Sequence, residues 1–262
     1  MQKIKTIMLK EWAEVFRNRL VVLTVLFIPL VFTAIPVGLL LIARGVGGSE
    51  LTAQIPAQAR RLCPEGLGIM ECFQVYVLNQ FMLIFMFTPL IVPVTIAAYS
   101  IVGEKTTRSL EPLLATPITT FELLAGKNLA AAIPATLGTW FSVLIYAIYV
   151  RLLIGKPQAI AVLLEPMWWV AVFVVGPLSS VLSVNFSLMV SSRVNEPHVA
   201  EQLSAVVILP LLLLFFGQVA GLVILNRSLI LALAVALVVV DGVLFYLAVR
   251  LFDRETILTR WR

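Results

Sequence analysis

Long apolar stretches alternate with short polar ones along this chain, and the apolar stretches have the length of a bilayer-crossing helix. About twenty apolar residues are needed to cross hydrocarbon at a helical rise of about 1.5 Å per residue. Six runs meet that requirement: Leu20–Ile42, Val75–Val102, Asn128–Ile154, Met167–Val190, Leu203–Leu225 and Leu229–Leu251. They predict an all-α integral membrane protein, one transmembrane domain over residues 1–262 with six crossings. The first run has no clean small-x-small site after it, so it reads as a retained anchor and not as a cleaved signal peptide.

Two polar stretches interrupt the pattern in an informative way. Lys3 to Arg19 places Ile4, Met8, Trp12, Val15 and Phe16 on one stripe, with Ile7 beside them. That spacing predicts an amphipathic helix (1–19) lying at the membrane surface, with Trp12 at headgroup depth. The second stretch, Gly103 to Lys127, reads GEKTTRSLEPLLATPITTFELLAGK and carries Glu104, Lys105, Arg108, Glu111, Glu122 and Lys127. Its centre, Leu110 to Leu114, has a short apolar face, and Pro117 stops it. An irregular charged segment cannot lie in hydrocarbon, but it can lie at the surface and offer a side to a soluble partner. Thr119-Thr120-Phe121-Glu122 then reads as a capping box opening the third crossing.

Composition fits this reading. Hydrophobic residues make up 61% of the chain and charged ones 13%, where a soluble domain has about a quarter charged. With the N-terminus inside, Lys3, Lys5, Lys10, Arg17, Arg19, Lys105, Arg108, Lys127, Arg193, Arg250, Arg254, Arg260 and Arg262 fall on the cytoplasmic side. Only Arg44, Arg60, Arg61, Arg151, Lys156 and Arg227 fall outside. The positive-inside rule therefore puts both termini in the cytoplasm. The net charge of +5 serves topology and anionic lipid, and no aromatic-interleaved basic patch points to nucleic acid.

The outer loop, residues 43–74, holds both cysteines. Cys63 and Cys72, with eight residues between them, are either two unrelated small residues or a disulfide formed in an oxidising compartment. Prolines and glycines recur inside the crossings (Pro29, Pro36, Pro89, Pro93, Pro134, Gly176–Pro177, Pro210, Gly217). They mark kinks without identifying a transport path. Asp241 is the one acid deep inside a crossing, about 13 Å from Arg250 along the helix, and Asn185 is the nearest polar residue to it by depth. Such an acid faces the bundle interior, a partner or water, and serves either a cation path or a hydrogen-bonded structural role. His198, the single histidine, reads as a solvated surface residue.

No P-loop, H-E-x-x-H or G-x-S-x-G pattern occurs, so the chain has no recognisable means of hydrolysis and no catalytic, cofactor or metal residues to nominate. The run from Glu104 to Ile118, EKTTRSLEPLLATPI, resembles the signature that follows the second crossing in ABC-2 type permeases, close to E-K-E-x-G-T-L-E-x-L-L-A-T-P-V/I. Thr106 replaces the usual Glu, Arg108 the usual Gly, and Ser109 the Thr. Lys10-Glu11, Arg17-Asn18-Arg19, Ser191-Ser192-Arg193 and Ala200-Glu201-Gln202-Leu203 extend the likeness over most of the chain. The sequence is most similar to the sodium- or drug-export branch typified by NatB-like permeases.

The resemblance implies an exporter subunit in the cell membrane, paired with a second permease, identical or related, and with two cytoplasmic ABC ATPase subunits that bind ATP and Mg. The family's coupling helix would map onto Thr107–Thr116. Leu110, Leu113 and Leu114 would fill a groove on the ATPase, with Glu104, Arg108 and Glu111 as a charged rim beside Pro117. A membrane-embedded enzyme would require paired acids, a metal cluster or a Ser/Lys constellation, and none is visible. A non-transporting scaffold moved by a partner ATPase is the alternative that these residues leave open.

Overall fold

The computed structural model describes residues 2–45, 69–106, 118–153, 161, 163–223 and 225–252. Among the described residues six helices are long and apolar enough to cross a membrane: Val21–Ile42, Cys72–Thr106, Thr120–Leu152, Pro166–Ser191, Pro197–Val219 and Arg227–Leu251. We call them spans 1 to 6. A further helix, Gln2–Val15, precedes span 1.

The boundaries differ from the sequence expectation mainly in spans 3 and 5. Span 3 starts eight residues before Asn128, because the capping box closes as read. Glu122 N–H donates to Thr119 Oγ1 (3.2 Å), and Thr119 N–H donates back to Glu122 Oε2 (3.0 Å). Span 5 starts at Pro197, where Pro fits a first helical turn, and it ends at Val219 and not at Leu225. Gly221 adopts φ 71°, and the Leu222 and Val223 N–H groups fold back onto Gly217 O (2.8 and 3.1 Å). This left-handed glycine stop satisfies the last carbonyls and ends the helix.

Span 2 is the axle of the bundle. It is apolar all round, and 89% of its most hydrophobic window is buried, against 11% in span 5 and 22% in span 6. A helix without a polar face must be surrounded by others or by lipid, and here other helices surround it. Its middle narrows to a short 3-10 turn at Phe85–Phe87, just before Thr88-Pro89, because Pro89 can give no backbone N–H to the preceding turn. Span 4 packs along it, and its small residues Ser180, Ser183, Ser187 and Ser191 are all fully buried, Ser180 lying 3.2 Å from Thr136 of span 3. Ser187 Oγ donates to Val94 O on span 2 (3.2 Å). Small side chains let two backbones approach closely where no water competes for their hydrogen bonds.

Span 4 itself contains a π-helical turn, Ala171–Val175, in which Gly176 N–H reaches back five residues to Ala171 O. Pro177 follows directly. It cannot complete the α-helical ladder, and the wider turn absorbs the mismatch. The Val172 carbonyl takes a hydrogen bond from Trp140 Nε1 of span 3 (3.2 Å). Span 1 rests on span 3 through Tyr149 OH to Val37 O (3.1 Å) and Ser142 Oγ to Pro29 O (3.3 Å), so the carbonyl of a kinking proline has a partner.

Two apolar clusters fill the interior. One, around Phe85, Tyr146 and Trp168, joins spans 2, 3, 4 and 6. The other, around Val21, Ile96, Leu124 and Leu188, lies toward the end where the N-terminal helix docks. The faces of spans 1, 5 and 6 turned away from these clusters expose residues such as Leu213 and Val235, as a surface that meets lipid or another membrane subunit does.

Candidate functional site: a charged junction flanking residues 107–117

Two crossings bring the chain back, so the N-terminal helix, the end of span 2 and the start of span 3 lie on one side of the bundle. These three pieces meet in a buried charge cluster. Glu104 at the end of span 2 is 3% exposed, Lys127 of span 3 is 2% exposed and Glu11 of the N-terminal helix is 2% exposed. Lys127 Nζ donates to Glu11 Oε1 at 2.7 Å and lies 2.8 Å from Glu104 Oε2. It also donates to Ser100 Oγ (2.7 Å), whose own hydroxyl donates to Glu11 Oε2 (2.5 Å). Lys10 closes the ring from outside, donating to Glu104 Oε1 at 2.6 Å. A buried charge is tolerated only when paired and hydrogen-bonded, and each member here is.

The backbones come close enough for this because of small residues. A Cβ added at Gly126 would stand 2.7 Å from Ile7 Cγ2, so only glycine lets the N-terminal helix lie against span 3 at that point. Trp12 fixes the same contact by donating its indole Nε1–H to Ala130 O (2.9 Å). The line that faces the bundle is therefore Ile7, Glu11 and Val15, one residue round from the predicted stripe, and Phe16 is exposed. Trp12 is engaged with span 3, where the sequence suggested a headgroup-level anchor.

The junction extends to the connection between spans 4 and 5. Lys105 Nζ donates to Ser192 O (3.5 Å), at the C-cap of span 4, and to Val194 O (3.3 Å) just beyond it. A lysine there satisfies orphan carbonyls and complements the helix dipole. Thr95 of span 2 donates to Glu201 of span 5, and His198 meets the Tyr99 ring edge-on, centroids 6.0 Å apart. His198 is exposed all the same, as the sequence reading had it. On the far side, Lys3 pairs with Glu122 at 3.7 Å.

The electrostatics follow from these neighbours. Burial alone would lower the Lys10 pKa, but the hydrogen bond to Glu104 and the charges of Glu104, Glu11 and Glu14 hold it above the usual lysine value. The carboxylates of Glu11, Glu14 and Glu104 have oxygens within 4.8 Å of one another, a spacing compatible with a cation. Two ammonium groups, those of Lys10 and Lys127, already occupy that role, and a metal would have to displace them.

The expected site residues are now placed as follows. Glu104, expected on an exposed rim, is instead buried, because Lys10 and Lys127 hold its carboxylate inside the junction. Arg108, Leu110, Glu111, Leu113, Leu114 and Pro117 lie outside the described residues, as does Cys63; Cys72 is buried at the start of span 2. Asp241 does face the bundle, at 7% exposure, and neither carboxylate oxygen has a hydrogen-bond partner among the described residues. Asn185 does not bond it; its Oδ1 accepts from Asn128 Nδ2 of span 3 at 2.5 Å.

The sequence reading missed Glu11, Ser100, Lys127 and Asn128 as partners. One signal was available: Glu11 stands four residues from both Ile7 and Val15, a charge in the middle of an apolar line, as a buried pair requires.

No curated protein matches the chain. Residues 5–252 match the family model described as ABC-2 family transporter protein. The match takes in all six spans and the junction, so the chain belongs to the ABC-2 family of transporter proteins and is a membrane permease component of an ABC transporter.

Proposed function

We propose that this chain is the export permease of an ATP-driven pump, working with a second permease and two cytoplasmic ATPase subunits. Residues 107–117 act as its coupling segment. The observation that carries this reading is the position of the junction. Its members stand directly before that segment (Glu104, Lys105) and ten residues after it (Lys127), so a push on residues 107–117 reaches spans 2 and 3 and the N-terminal helix together. A stiff, fully paired cluster suits force transmission because its members cannot separate without exposing unpaired charge. Both termini lie on the cytoplasmic side of the cell membrane, and ATP and Mg belong to the ATPase.

The test is Leu113→Asp with Leu114→Asp. Two charges cannot fill an apolar groove, so the variant should insert normally and lose most of the ATPase in co-purification. Full retention of ATPase together with normal transport would remove residues 107–117 from this role. Orientation is checked separately. An impermeant thiol reagent should label a cysteine placed at Gln54 from outside, and one placed at Thr106 only after permeabilisation.

A further inference from the structure

Away from the junction, spans 2, 4, 5 and 6 do not close on one another. They leave a slot with a cavity volume of about 110 Å³, open in part to the surroundings, with almost wholly apolar walls. On span 4 its wall is Trp168, Ala171, Val175, Ser179 and Leu182, every third or fourth residue. The slot therefore runs along the helix axis for about 21 Å, at about 1.5 Å per residue. Half the hydrocarbon core is about 15 Å thick, so a slot of this length is long enough to take the acyl chain of one leaflet, lying along the helix axis. Packed interiors hold few voids larger than a water molecule, and water gains little from apolar walls.

One end of the slot differs chemically from the rest. Trp168 stands two residues inside the start of span 4 and is 1% exposed. Its indole Nε1 is buried without a hydrogen-bond partner among the described residues. The next residue, Trp169, is 49% exposed and stacked on Phe173 at 5.4 Å, as aromatic residues at a membrane interface are. The orphan donor therefore sits at interfacial depth, where a phospholipid carries its ester carbonyls, and the apolar slot continues from it toward mid-bilayer. The π-helical turn lies in this same wall, displacing Ala171 and Val175 from regular helical positions.

From this geometry we infer that the slot between spans 2, 4, 5 and 6 binds one acyl chain of a bilayer phospholipid, with Trp168 Nε1–H donating to the ester carbonyl at its interfacial end. A lipid fits each observation: an almost wholly apolar channel, an unpartnered buried donor at one end and an axis along the span 4 helix. The inference does not depend on the coupling role of residues 107–117, and its failure would leave that role standing.

The experiment uses the full chain in phosphatidylethanolamine nanodiscs doped with a phosphatidylethanolamine carrying a diazirine midway along one acyl chain. After irradiation, adducts are mapped by mass spectrometry. Surrounding lipid can reach Leu213, 74% exposed, and Val235, 66% exposed, but not Met86 or Ala171, each 3% exposed. Adducts on Met86 or Ala171 are expected in addition to those on Leu213 and Val235. Val175→Phe and Ser179→Leu, made separately in case one fails to fold, should each cut the buried adducts about tenfold, equivalent to ~1.4 kcal/mol of lost binding. The adducts at Leu213 and Val235 should be unchanged. Adducts confined to exposed residues, or buried adducts that both filling variants leave intact, would overturn the assignment.

Discussion

Glu104 and Asp241 are both acids buried in membrane-crossing helices, and the protein holds them in opposite ways. Glu104 lies at the end of its span, pinned between two lysines from two other helices. Asp241 lies near the middle of span 6, with no partner for either oxygen among the described residues. The first arrangement fixes geometry, because any relative movement of the three helices separates opposite charges in a low-dielectric site. The second does not fix anything within the described chain. A buried carboxylate without a partner is costly to keep, and that cost is relieved by a proton, a cation or a group on a second permease. Glu104 is therefore held in a closed ring of charges, and Asp241 has no such ring among the described residues.

The largest test of this contrast is Lys127→Met. It leaves the Glu11 and Glu104 carboxylates buried side by side, with only the half-exposed Lys10 to offset them. Breaking a buried pair from one side costs about 3–5 kcal/mol, and the thermal midpoint of the purified protein should fall steeply. Adding Glu11→Gln and Glu104→Gln to Lys127→Met removes the stranded charges and should recover most of the loss. A single variant as stable as the parent would show that the cluster holds nothing together.

Asp241→Asn makes the opposite prediction. Shape and most hydrogen-bonding capacity stay while the charge goes, so stability should hold or rise where Glu104→Gln lowers it. Function then separates the two roles open to Asp241. If assembly and cargo-stimulated ATPase activity both survive, the charge has no part in transport. If assembly survives and transport is lost, a purely structural role is ruled out.

The contrast also marks what could be read from the chain. Six crossings were legible because a twenty-residue apolar run has few other uses, and Asp241 was legible because an acid inside such a run stands out against its neighbours. The partners of Glu104 were not legible. Lys10 lies 94 residues away in sequence, and Glu11 lies 116 from Lys127; no local pattern encodes pairings at that range. The junction's charges sat in segments already explained as interfacial, which hid the fact that three of them are buried. The π-helical turn in span 4 was equally hidden, since Gly176–Pro177 predicts a kink but not how the backbone absorbs it.

The smallest expected effect concerns the capping box, the one local feature of the junction that sequence and structure share. Thr119 and Glu122 exchange hydrogen bonds at the surface, so they hold the start of span 3 without burying a charge. Thr119→Ala leaves one helix-end N–H to water and should cost about 1 kcal/mol, a small shift of the thermal midpoint beside that of Lys127→Met. Under the coupling role proposed for residues 107–117, its consequence is more telling than its size. Span 3 begins at Thr120, with two residues between it and residues 107–117, so a frayed first turn loosens the connection between that segment and the Lys127 cluster. ATPase binding should persist, while the transport obtained per ATP hydrolysed falls. Unchanged stoichiometry in Thr119→Ala would mean that force enters the bundle through span 2 and Glu104 alone, leaving Lys127 a purely structural partner.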